Sequence, residues 1–173
     1  MSATKKISFI VIIAVIVAAA GLNTGCGIYS FRDVSIPDSI KTVRIQYIEN
    51  KATYVNPQLS PQLTEGVRRK IITQTRLSQT TNEDAHYDIS GEIRDYVITT
   101  SGISNKQEVS NRLTVSVHII LNNQLTNEKQ EFDVSRGFEF SATLSQQTAE
   151  AQLLDEMVKS LSDDIFTRLF SNW

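Results

Sequence analysis

The sequence is poor in the residues that most often carry chemistry. It has one cysteine in 173 residues, so no disulfide can form within the chain. It has two histidines, His86 and His118, and neither stands near the cysteine or at a metal-ligand spacing. Both read as ordinary surface residues. No Gly-x-Ser-x-Gly elbow, phosphate loop or glycine-rich dinucleotide turn occurs. Asp155-Glu156 and Asp163-Asp164 are neighbours in a helical pattern, where adjacent residues do not face each other. The residues therefore give no support to an enzyme. An excess of positive charge is missing as well: the formal net charge is −2, which argues against a nucleic-acid binder.

Long apolar runs are scarce too, and the one present is informative. It spans Ile7 to Leu22, follows Lys5 and Lys6, and leads into Gly25-Cys26. At 16 residues it is short of the roughly 20 that cross a bilayer permanently. It is apolar on every side, unlike a core helix with one buried stripe. Positive charge, a short apolar stretch and small residues together make a secretory signal. A small residue directly before Cys26 makes it a lipoprotein signal, with Asn23 standing where Leu is usual. Cys26 is then the lipidation site, carrying diacylglycerol on sulfur and an acyl chain on the new amino terminus. That consumes the lone thiol, and several acyl chains suffice for stable anchoring. No other cofactor is expected.

Removing residues 1–25 takes away Lys5 and Lys6 and brings the net charge to −4. It leaves 148 residues, one domain's worth and enough for a core without staples. The expected organisation is a cleaved signal over 1–25, a lipidated tether over 26–40 and a folded domain over 41–173.

Within that domain, Val43, Ile45 and Tyr47 alternate with Arg44 and Gln46, the pattern of a half-buried strand. Leu59, Leu63, Val67 and Ile71 repeat every four residues, so 60–75 reads as an amphipathic helix. Ser60 is its expected cap and Pro61 its first helical residue. Arg68, Arg69 and Lys70 fall mostly on its outer side. Three strands follow. Tyr87, Ile89, Ile93 and Val97 share one parity, with Gly91 as a candidate bulge. Leu113 through Leu121 alternate cleanly. Phe132, Val134, Phe138 and Phe140 do the same, with Arg136 intruding on the apolar side. Residues 99–111 read as a long polar loop and 127–129 as a tight hairpin. A final helix over about 146–170 carries Leu154, Met157, Val158, Leu161, Ile165 and Leu169 as its core stripe.

The expected order is β-α-β-β-β-α: an α+β two-layer sandwich with a four-stranded mixed sheet and two helices on one face. A right-handed crossover makes the first two strands parallel. The other sheet face, with Arg94, Tyr96, Thr114, Ser116, His118 and Ile120, reads as polar to mixed.

Four stretches, "GCGIYSF" (25–31), "IPDSIKTVRIQYIEN" (36–50), "NPQLSPQLTEGVRRKI" (56–71) and "YDISGEIRDY" (87–96), in this order resemble the LptE family of lipopolysaccharide-assembly lipoproteins in its Bacteroidetes branch. The resemblance implies an outer-membrane lipoprotein that plugs the lumen of a β-barrel translocon of LptD type, helps it assemble and engages lipopolysaccharide. No acidic run follows Cys26, so the resemblance favours the periplasmic side over the cell surface. Lipopolysaccharide is anionic, and Lys106, Arg112, Lys129 and Arg136 lie in or beside the β-hairpin region. They are candidate contacts, with plain solubilising charge as the competing reading. Two other functions stay open: a periplasm-facing lipoprotein of another secretion or envelope complex, and a lipid-anchored hydrolase with His86 or His118 beside a serine and a carboxylate.

Overall fold

A computed structural model of the chain describes residues 36–104 and 107–171. The signal, Cys26 and most of the tether lie outside the described residues. Five strands and two helices follow one another: β1 (Thr42–Asn50), α1 (Leu59–Gln74), β2 (Ser78–Gln79), β3 (Tyr87–Ser104), β4 (Gln107–Asn123), β5 (Glu128–Ser141) and α2 (Gln146–Phe170). The sheet order is β2-β1-β3-β4-β5. β1 is parallel to both β2 and β3, and β3, β4 and β5 form the antiparallel meander. The α+β class, the two helices and the parallel first pair are as expected. The fifth strand, β2, is a two-residue addition in a polar stretch too short to show a period.

Both helices serve one core. Leu59, Leu63, Val67 and Ile71 of α1 meet Leu154, Met157, Leu161, Ile165 and Leu169 of α2 and the inward residues of the sheet. Val158, on the rim of the α2 stripe, is only partly buried, while Leu153, Phe166 and Phe170 join the core. The helices approach closely at Gly66, where an added Cβ would stand 2.5 Å from Ser162 Oγ and 3.0 Å from Val158 Cγ1. Within the expected tether, Ile40 is buried and Ile36 packs on the core, so the fold begins before β1.

The helix caps divide the two ends of the chain. Ser145 caps α2 by accepting from the Thr148 amide at 3.2 Å. Ser60 does not cap α1: the helix starts at Leu59, and Ser60 Oγ is buried without a hydrogen-bond partner. Asn56 organises that entry instead, its Oδ1 accepting from the Gln58 amide at 3.0 Å.

Two bulges correct the strand parities. Ile45 pairs with Ile89 and Ile48 with Gly91, so Gln46 and Tyr47 together oppose Ser90. Tyr47 is thereby turned out to 56% exposure, and Ile48 takes the inward place. In β3 the pairs Ile93–Val117 and Asp95–Ser116 leave Arg94 as the extra residue. Tyr96 therefore points into the core, and Val97 is exposed. Gly91 is not the bulge but a tight inward position, where a Cβ would meet Ile119 Cδ1 at 2.6 Å and the His118 carbonyl at 2.9 Å.

The stretch over 99–111 is no loop. β3 and β4 continue as a paired hairpin out to Ser104 and Gln107. The next turn falls at 124–127, not 127–129; Asn127, with φ 55°, takes the left-handed conformation that asparagine tolerates.

Candidate functional site

The open face of the sheet concentrates the polar side chains. Near its β2 end, Asp88 is buried and accepts two parallel bonds from Arg44, Nε to Oδ1 and Nη2 to Oδ2, both 2.8 Å. Gln46 Nε2 donates to the same carboxylate at 2.9 and 3.0 Å. The Arg44 guanidinium holds the Asp88 carboxyl below its ordinary value, against the opposing push of burial. Such a two-point pair fixes both position and plane.

Further along, Glu92 accepts from Arg94 at 2.8 Å and faces Lys51 at 2.9 Å. The bond from Arg94, and then that from Lys51, draw the Glu92 carboxyl down to about 2. Ordinary alternation puts Glu92 and Arg94 on the open face together, and the bulge at Arg94 reverses the parity only beyond it. His118 is not an ordinary surface residue. It is buried, with Nδ1 2.8 Å from Asp133 Oδ1 and Nε2 3.3 Å from Glu131 Oε2. Both ring nitrogens thus face carboxylates across the β4–β5 ladder. Lys129 also contacts Glu131, at 2.6 Å, and is the main reason that carboxyl sits low.

Between these groups lies a shallow depression of about 460 Å³. Tyr47 and Gln46 flank it on β1, Glu92 and Arg94 on β3, and His118 and Lys129 on the other side. The two bulges bracket it. Alternation along β1 hid this site, but the adjacent apolar pair Tyr47-Ile48 was a visible break in that alternation.

A second polar cluster closes the far end of the core. Burial pushes the Tyr96 hydroxyl up to about 12, and Asn56 Nδ2 donates to it at 3.3 Å. The Tyr54 ring lies 5.4 Å from that of Tyr96, and its hydroxyl donates to the buried Glu150 at 3.2 Å. This clasp ties the β1–α1 loop to the start of α2.

The candidate anion contacts are scattered. Lys106 and Cys26 lie outside the described residues. Arg112 donates to Glu139 at 2.6 Å on the open face and lies across Gly137. Lys129 stands at the other end of β5. Arg136 is on the helix-covered face, where its intrusion into the apolar parity is explained: it forms a two-point pair with Asp164 of α2 at 2.6 and 2.7 Å. The basic triplet of α1 is also largely tied up, Arg68 to Glu65 and Lys70 to Asp163. His86 is a structural residue, its Nδ1 accepting from the Lys41 amide at 2.8 Å. Neither histidine hydrogen-bonds a serine among the described residues. Those residues also hold no cluster of side chains suited to a metal ion, and no helix among them is long and apolar enough to cross a membrane.

Solved structures are similar to the chain at low identity. A Xanthomonas campestris protein superposes with a TM-score of 0.53 at 9% identity, over 79% of this chain and 87% of its own. A hypothetical protein of Chlamydia trachomatis does so with 0.53 at 13%, over 75% and 95%. A minor lipoprotein of Acinetobacter baumannii gives 0.48 at 13%, over 74% and 89%. No curated protein sequence matches. The family model described as LptE, lipopolysaccharide-assembly, matches residues 40–169, from the last residues before β1 almost to the end of α2. With the fold and the match covering the same residues, the chain belongs to the LptE family.

Proposed function

We propose that this protein is an outer-membrane lipoprotein that plugs and helps assemble a β-barrel translocon of LptD type and assists lipopolysaccharide transport to the outer leaflet. The family match over residues 40–169 carries the reading. The open sheet face supports it physically. Its acidic groups are met by Arg44, Lys51, Arg94, Arg112, Lys129 and His118, so it is polar without a strong field of either sign. Such a surface suits the wet, polar lumen of a large barrel. Cys26 would hold the anchor on the periplasmic side after removal of residues 1–25, and the folded unit would act by binding and filling rather than by catalysis.

The test is purification of tagged protein from detergent-solubilised outer membrane, followed by mass spectrometry. A barrel of LptD type is expected at near-equal amount. Recovery as a lone lipoprotein counts against the proposal, and recovery with the components of another secretion or envelope complex favours a role there. The same spectra report on Cys26, where an unmodified thiol or an intact Met1 end defeats the anchoring step.

Lys106, Arg112, Lys129 and Arg136 remain the proposed contacts for the anionic groups of lipopolysaccharide. For Arg112, Lys129 and Arg136 a phosphate would have to displace Glu139, Glu131 or Asp164. Alanine at all four together should weaken lipopolysaccharide binding; unchanged binding assigns them to solubility and packing.

A further inference from the structure

We infer that the depression on the open face is a binding site for a pyranose ring, and that the ring belongs to the glycan part of lipopolysaccharide. The identity of the glycan rests on the function proposed above.

Three observations carry the inference. The first is Tyr47. The β1 bulge lifts this aromatic out of the core parity and leaves it 56% exposed at the rim of the depression. Bulges re-aim side chains beside functional sites more often than elsewhere. One face of a pyranose is a patch of C–H bonds, and an aromatic ring is its natural platform.

The second is the set of groups around Tyr47. Glu92, Arg94 and Gln46 are planar and offer donors and acceptors in fixed directions. Each is already held: Glu92 by Arg94 and Lys51, Arg94 by Glu92, and Gln46 by Asp88. Groups held this way lose little freedom when a hydroxyl replaces water.

The third is charge and size. Lys51, Arg94 and Lys129 on the lining are balanced by Glu49, Glu92 and Glu131. A bare phosphate would meet as many carboxylates as cations, whereas a polyhydroxyl ring uses both. The volume of about 460 Å³ falls in the range of small-ligand clefts, roughly 300–1,000 Å³.

The test uses the full-length lipidated protein in detergent. The probe is the oligosaccharide freed from lipid A by mild acid, followed by saturation-transfer NMR and calorimetry. Wild type is expected to bind it. Tyr47→Ala should weaken binding about tenfold or more, as removal of an aromatic platform does, while Tyr47→Phe keeps most of it. Glu92→Gln should weaken it by a smaller factor. Melting curves of the tyrosine variants should match wild type, because the ring is exposed.

Absence of oligosaccharide binding, or equal binding by Tyr47→Ala, overturns the inference. Displacement of the oligosaccharide by equimolar inorganic phosphate overturns it in favour of an anion site. Equal binding of a soluble muropeptide overturns the assignment to lipopolysaccharide. Co-purification of the barrel is read separately, so the glycan site can fail while the proposed function stands, and the reverse.

Discussion

On the helix-covered face of the sheet, Val43, Ile93, Val115 and the α2 residues Met157, Leu161 and Ile165 are sealed from water. On the open face of the same strands, Asp88, Glu92, Glu131 and Glu139 are each met by a cation or a hydrogen-bond donor. The first face derives its stability from area removed from water, about 25 cal/mol per Å² of apolar surface. The second has little to gain from its ion pairs, because exposed pairs are worth about 0–1 kcal/mol each. What the open face has instead is order: side chains fixed in direction, with a hollow between them. One face stabilises the domain, and the other is available for recognition.

Substitutions can press on this contrast, beginning where the effect is largest. Leu161→Ala empties a fully buried core position on α2 and should cost about 2–5 kcal/mol in urea unfolding. Asp88→Asn probes a place where the open face behaves like a core. It leaves Arg44 facing a neutral amide and should cost about 2–4 kcal/mol. The pH profile sharpens the point. The folded Asp88 carboxyl is depressed below its ordinary 3.8, so its contribution is complete above that value and is lost as pH falls through the lower folded value. Wild type should therefore lose more stability than Asp88→Asn between pH 5 and pH 2, as unfolding at each pH would report. A similar acid loss in both would assign the effect to other carboxylates.

Gly91→Ala drives a methyl toward the His118 carbonyl and Ile119, where both faces meet at one residue. An overpacking cost of about 1–3 kcal/mol is expected, measured as a lower urea midpoint. Arg112→Ala should be the smallest change, within about 0.5 kcal/mol of wild type. A larger loss would mean that the Arg112–Glu139 pair, or the cover Arg112 gives Gly137, holds β4 and β5 together more firmly than exposed pairs do.

The two faces were not equally legible in the sequence. The helices were plain, because Leu59 to Ile71 and Leu154 to Leu169 keep a helical period over many turns, and the apolar alternation of β4 was as clear. The bulges were not. A bulge shifts parity by one residue through backbone geometry, so Tyr47 read as buried and Tyr96 as exposed when the reverse holds. The outer β3–β4 hairpin read as a loop because "TTSGISNKQEVSN" has no apolar face to set a period. The ion pairs were illegible for another reason: Arg136 and Asp164 are 28 residues apart, and only the packing of α2 on β5 brings them together. A sequence shows that a charge exists; the fold decides what it faces. The depression depends on the β1 bulge that turns Tyr47 outward and had no sequence period of its own.

The sheet order has a kinetic consequence. β3, β4 and β5 follow one another closely in the sequence and can pair as soon as they meet. β1 is different: Val43 must find Tyr87, 44 residues later, and only after α1 has crossed over. Closing that longer loop costs more chain entropy before any bond is gained, and non-local pairings slow folding. β1, with β2 beside it, then docks after the meander, and until it does the edge of β3 is unpaired and one wall of the depression is missing. Pulse-labelled hydrogen exchange during refolding should find the β1 amides protected after those of β4; simultaneous protection would refute this order. A partner that arrives early meets an open sheet edge, and one that arrives late meets a finished surface.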